Sequence, residues 1–183
     1  PSLYRGIAEK QMRLVKRRVT PPFNYLKQKN KTLEQSWMTR LEYDRFQQGS
    51  RRRVLDFLDY YHRLCTEIDF TRPYVYVALN FQPERTTSPM GGFYAHQTLI
   101  VDMLSKLVPE DWLVVVKEHP TTFTPSMYFR SQAARTYDFY DDLAALPNVR
   151  LASMHTSTFD LIDHSQVVAT VTGTVGWESI NRG

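Results

Sequence analysis

Three hydrophobic patterns follow one another along the chain. Near the amino end apolar positions are sparse: Leu3, Ile7, Leu14 and Val15 stand among Lys10, Arg13, Lys16, Arg17 and Arg18, and Pro21-Pro22 stop the helix this spacing predicts. Leu33, Trp37 and Leu41 recur four residues apart and predict a short second helix. After Gly49-Ser50 the stripe broadens. Val54, Leu55, Phe57, Leu58, Tyr61, Leu64, Cys65 and Ile68 predict a helix over 52–68 with a face wide enough to pack on a sheet, and Asp69-Phe70-Thr71-Arg72-Pro73 break it.

From Tyr74 the pattern alternates between short β-branched runs and helical stripes. Strands are expected at 74–79, 113–117, 149–151 and 167–171. Between them the spacing predicts a helix with Thr98, Leu99, Ile100, Met103, Leu104 and Leu107 on its inner face, another near 132–146, a brief one around Phe159, Leu161 and Ile162, and a last one opening near Val175. Alternation of this kind requires crossovers and hence a parallel sheet. The expected fold is therefore α/β, a Rossmann-like parallel sheet in residues 71–183, preceded by a helical, basic segment in residues 1–70. The chain starts without Met and stops inside the last expected helix, which reads as a piece cut at both ends.

With 183 residues, 42% of them hydrophobic, the chain can bury a full core. No apolar run approaches the roughly 20 residues of a membrane span, and the first residues lack the layout of a secretory signal. The single cysteine, Cys65, excludes an internal disulfide and favours a reducing, cytoplasmic compartment. Charge is uneven: residues 1–70 carry 15 Lys/Arg against 8 Asp/Glu, whereas residues 71–183 carry 8 against 11. The basic amino-terminal segment suits the anionic surface of an inner membrane better than nucleic acid, because few aromatics interleave it and Arg51-Arg52-Arg53 fall on a separate element.

The candidate chemistry gathers where strands end. Val114-Val115-Val116-Lys117-Glu118-His119-Pro120 is a buried strand that ends abruptly in charge, an imidazole and a proline. A second strand runs into Thr172-Gly173-Thr174-Val175-Gly176-Trp177-Glu178, a polar turn that opens a helix. In an open parallel sheet ligands sit outside the carboxyl ends of the strands. There Gly173 and Gly176 would let backbone approach a phosphate, the helix start would offer N–H groups, and Thr172 and Thr174 would add hydroxyls. Glu178 is placed to accept from ribose hydroxyls. His119 is placed to donate to a phosphate or sugar oxygen, with Pro120 stiffening its turn. Alternation puts Lys117 on the side of His119 and turns Glu118 away. Arg85, in the loop after the first strand, is a cation for phosphate. His62, His96, His155 and His164 show no metal-ligand spacing, so no metal is expected. The chain has neither a P-loop nor G-x-G-x-x-G nor G-x-S-x-G, which argues against an NTPase, a dinucleotide enzyme of the usual type and an α/β-hydrolase.

The run Ala78-Leu79-Asn80-Phe81-Gln82-Pro83-Glu84-Arg85-Thr86-Thr87, the Lys117-Glu118-His119-Pro120 motif and the turn at 172–178 together resemble the bacterial capsular polysaccharide biosynthesis proteins of the Kdo-transferase type. The resemblance covers roughly residues 50–183. It implies the nucleotide-binding half of a GT-B glycosyltransferase that moves an acidic sugar such as Kdo from a CMP donor to a glycan or glycolipid acceptor, with no further cofactor. It also implies nucleotide contacts for His119, Pro120, Thr172, Gly173 and Thr174, and a ribose contact for Glu178. It assigns no catalytic base, which such enzymes usually carry on the acceptor domain. Two other readings use the same residues: a polyol-phosphate transferase of the teichoic-acid type, and a non-catalytic polysaccharide export module.

Overall fold

The computed structural model describes residues 40–183, of which Asp44–Gly183 form one compact unit. The first expected helix and most of the second lie outside the described residues. The first element, α1 (Arg40–Leu64), runs without a break through Gly49-Ser50. Its stripe Val54, Phe57 and Tyr61 is buried against the sheet, so residue 70, where the sequence suggests a boundary, lies inside the unit. The helix ends before the apolar stripe does. Cys65 bridges to Leu151 and the Thr66 N–H donates to the Leu151 carbonyl at 3.0 Å, so the chain leaves the helix to line the sheet edge, and Ile68 turns to the other face.

The sheet holds β1 (Tyr74–Ala78), β2 (Leu113–Lys117), β3 (Val149–Leu151) and β4 (Val167–Ala169), all parallel, in the order β3-β2-β1-β4. This is the expected Rossmann-like α/β arrangement. β1 and β2 are central and buried along their whole length, as expected of strands covered on both faces. Val75, Val77, Val114 and Val116 point to the face covered by α1, α2 (Gln97–Leu107) and α4 (Tyr137–Ala144). Tyr74, Tyr76, Leu113 and Val115 point to the face covered by α5 (Thr158–Asp163) and by Val175 at the start of α6 (Val175–Arg182). No helix among the described residues is long and apolar enough to cross a membrane.

Three local expectations are corrected. The inner stripe of α2 is Gln97, Val101 and the partly buried Ile100 and Leu104, whereas Leu99, Met103 and Leu107 are exposed, because the face that meets the sheet runs through positions 97, 101 and 104. The helix expected near 132–146 is shorter: α4 covers only Tyr137–Ala144, and a turn separates it from α3 (Tyr128–Ser131), which lies in the stretch expected to be a long turn. Thr136 caps α4 by accepting from the Phe139 N–H, and this turn delivers Arg135 to the interior. β4 ends at Ala169 rather than residue 171, where a turn begins in which Thr170 Oγ1 accepts from the Gly173 N–H and donates to Asn80 Oδ1.

Phe57 is fully buried and its ring meets Phe123, Tyr128, Tyr137 and Tyr140 at 5.2–5.9 Å. Phe57→Ala is expected to cost about 3–5 kcal/mol in urea unfolding, whereas Leu55→Ala, on the exposed side of the same helix, should stay within about 0.5 kcal/mol.

Candidate functional site

The chain builds β1, β2 and β3 outwards, then returns to add β4 on the far side of β1. Connections therefore leave β1 and β4 over opposite faces, and the crevice outside their carboxyl ends is the topological switch point where such sheets bind ligands. Here the loop after β1 meets the turn after β4. Thr170 Oγ1 donates to Asn80 Oδ1 at 3.3 Å, and Thr87 Oγ1 lies 3.3 Å from Thr172 Oγ1. Gly173 fits only because it lacks a side chain: a Cβ would stand 2.8 Å from Thr170 Oγ1 and 2.9 Å from Asn80 Nδ2. Gly91 is as confined, since a Cβ would lie 2.5 Å from the Thr87 carbonyl oxygen.

The Gly173 N–H already donates to Thr170 Oγ1 at 3.1 Å, so it is not one of the free donors expected for a phosphate. At the start of α6 the Gly176 N–H donates to the Gly173 carbonyl at 3.4 Å, Thr174 makes no side-chain cap, and its hydroxyl turns instead to Glu178 Oε1 at 3.4 Å. Thr172 and Thr174 are exposed at the mouth, while Gly176 and Glu178 are half-buried. Burial raises the Tyr76 hydroxyl pKa, its hydrogen bond with Thr158 opposes this, and the charge of Glu178 adds to the rise.

His119 is exposed on the neighbouring loop. Its Nδ1 accepts from the Thr121 N–H at 3.2 Å, which leaves Nε2 outward, and its ring lies 6.3 Å from that of Phe81. Pro120 opens the 3₁₀ turn Pro120–Phe123 that holds this cap. Lys117, by contrast, is buried; its Nζ donates to the Thr156 carbonyl at 2.5 Å and to Thr158 Oγ1 at 3.1 Å. Arg85 is exposed on the β1 loop. The structure thus joins Asn80, Thr87, Thr170, Thr172 and Gly173 directly, sets His119 and Lys117 on the adjacent strand end, and draws neither onto the turn at Thr172.

Sequence reasoning missed the support beneath this edge. Glu118 does face away from Lys117, into the core, where its carboxylate accepts from Arg135 Nε at 2.5 Å, Tyr140 OH at 2.9 Å, the His119 N–H at 2.7 Å and Thr122 Oγ1 at 3.3 Å. Arg135 passes the link on to Gln82 Oε1 at 2.7 Å and the Asn80 carbonyl at 2.8 Å, and stacks 4.4 Å over Phe139. The Gln97 amide closes both backbone groups of Asn80, accepting its N–H at 2.7 Å and donating to its carbonyl at 2.9 Å. Tyr61 OH donates to the Ala152 carbonyl at 2.7 Å and accepts from the Glu118 N–H, which adds the end of β3. Burial raises the pKa of both Tyr61 and Tyr140 well above 10, and the charge of Glu118 adds to this, so both remain protonated donors. A glutamate placed beside a functional loop, together with a lone arginine in a later turn, was the available signal.

Among the described residues no group of three His, Cys, Asp or Glu could hold a metal ion. Cys65 is unsuited to nucleophilic work, since burial pushes its thiol up to about 11. A 520 Å³ cavity lined by Ser165, Gln166, Val167 and Arg182 opens at the amino end of β4, the opposite edge of the sheet, and takes no part in the site. No protein-family model, curated protein or solved structure matches the chain.

His62 supplies a pH-dependent tie beside the edge. Its Nε2 accepts from the Met154 N–H at 3.4 Å and its ring lies 5.2 Å from His155; burial and then the His155 charge lower its pKa below the ordinary 6.5. The unfolded chain therefore takes the proton first, and the stability His62 contributes above about pH 6.5 is lost as the pH falls. Thermal melts between about pH 7.5 and pH 5 should show the wild type losing more of its Tm than His62→Gln; equal losses would remove the tie.

Proposed function

We propose that this chain binds a CMP-activated acidic sugar of the Kdo type at the β1–β4 switch point and serves a glycosyltransferase that passes the sugar to a glycan or glycolipid acceptor. The observation that carries the reading is the α6 start: a helix amino end with no side-chain cap, opening from a turn whose glycine is packed against Asn80 and Thr170. A phosphate there meets backbone N–H groups and the positive end of the helix dipole, which is what an anion needs from a helix terminus. The exposed Thr172 hydroxyl, which can accept from Thr87 Oγ1 at 3.3 Å, keeps its own O–H for the ligand. His119, capped at Nδ1 and open at Nε2, approaches from the adjacent loop, so the ligand is held from a second direction. The half-buried Glu178, one turn into α6, fits the ribose hydroxyls. The resemblance of the three motifs to Kdo transferases supplies the sugar and nucleotide class.

His119 is exposed, but its Nδ1 caps the 3₁₀ turn and its ring lies beside the buried Phe81, so its replacement removes a cap as well as any ligand contact and the two effects are read separately. His119→Ala should lower stability by no more than about 0.5–2 kcal/mol, the cost of a lost cap, and weaken CMP binding by about tenfold to a hundredfold in calorimetry, the value of one hydrogen bond to a charged group at about 1.5–3 kcal/mol. Unchanged CMP affinity would remove His119 from the site. Binding of CDP-glycerol in preference to CMP would favour the polyol-phosphate reading, and binding of neither would favour the export module.

A further inference from the structure

Among the described residues, Lys117 is a buried charged side chain at this edge with no ion-pair partner. The residue is 6% exposed, yet no carboxylate among the described residues lies within salt-bridge distance of its Nζ. An ammonium carries three donors. Two meet neutral oxygens, the Thr156 carbonyl and the Thr158 hydroxyl, and one remains. Glu118, the next residue, is turned to the opposite face and taken by Arg135, and Glu178 forms no ion pair with Lys117. Burial alone disturbs the amine and lowers its pKa, with no carboxylate opposing the shift. A charge out of water without an opposite charge is costly, and in a binding edge it is completed by the ligand.

Position narrows the ligand group. Lys117 pairs in register with Ala78, two residues before Asn80, so it stands one interstrand spacing, about 4.8 Å, from the strand that leads to the phosphate crevice. It lies on the α5/α6 face, following Leu113 and Val115. Beyond it, towards β3, Thr156 lines a 460 Å³ cleft with His62, Ser153 and Glu67. A ligand laid along the edge thus meets a phosphate site at β4–β1, then a buried ammonium at β2, then open space at β3.

We infer that Lys117 is the carboxylate anchor of the donor sugar, pairing its ammonium with the acid group of the sugar while the phosphate sits at the start of α6. This rests on the nucleotide-sugar reading for the identity of the acid. It makes the site selective for acidic over neutral sugars, since a neutral sugar leaves the ammonium unpaired.

The test uses the full chain with CMP, free Kdo and the amide of Kdo as separate probes, titrated against wild type and Lys117→Met, which keeps the apolar stem. Free Kdo should bind the wild type at least about tenfold more tightly than its neutral amide, and Lys117→Met should remove that difference while leaving CMP affinity unchanged. The comparison of acid with amide on the wild type stands without the variant, should Lys117→Met fail to fold. Equal binding of acid and amide, or Kdo affinity unaltered in Lys117→Met, overturns the inference whatever CMP does. If Kdo behaves as expected and CMP binds neither protein, the anchor stands and the nucleotide reading falls.

Discussion

Glu118 and Arg135 are both closed off from water, and taking two charges out of water costs several kcal/mol for each ion. The fold keeps them because every direction around the pair is filled. Four donors converge on the carboxylate from Arg135, Tyr140, His119 and Thr122, and the guanidinium continues to Gln82 and to the Asn80 carbonyl. The partners come from the loop after β1, the end of β2, the turn before α4 and α4 itself. A single ion pair therefore fixes loops that sequence separates by more than fifty residues. An apolar pair of equal volume could match its stability but not its geometry, because only directed bonds fix the Asn80 backbone.

The candidate site inherits its shape from this support. Asn80 is held from beneath by Arg135 and Gln97, so its side chain is free to meet Thr170 and confine Gly173. His119 is held through its own N–H by Glu118, which leaves the imidazole at the surface. The two consecutive charges of the Lys117-Glu118-His119-Pro120 motif thus have opposite fates. Glu118 is fully paired and structural, whereas Lys117, on the other face, has only neutral partners.

The sheet was legible because its two central strands are runs of Val and Tyr or Val and Leu without a polar interruption before Lys117, and alternation with helices leaves parallel pairing as the natural outcome. The turn at Thr172–Gly176 and the motif ending in Pro120 were visible for the same reason, since a polar cluster directly after a buried strand has few structural uses. The contacts beneath them were not. Arg135 lies in a stretch that reads as continuous helix, and only the Thr136 cap, a side-chain to backbone bond, divides it. Gln97 reads as a surface residue because local periodicity cannot show that its amide matches the two backbone groups of Asn80. The stripe of α2 was misplaced for a related reason: Leu99, Met103 and Leu107 are apolar, but the sheet approaches from the side of Val101.

That the ion pair positions the edge, rather than only stabilising the core, is tested most directly by amide hydrogen exchange of the wild type and Arg135→Met. The account predicts faster exchange at Asn80, Thr87, Gly91 and His119, with the amides of Val75 and Val115 at the strand centres retaining protection up to the limit set by global unfolding. A uniform loss of protection across strands and loops, or no change at the four loop amides, would contradict it.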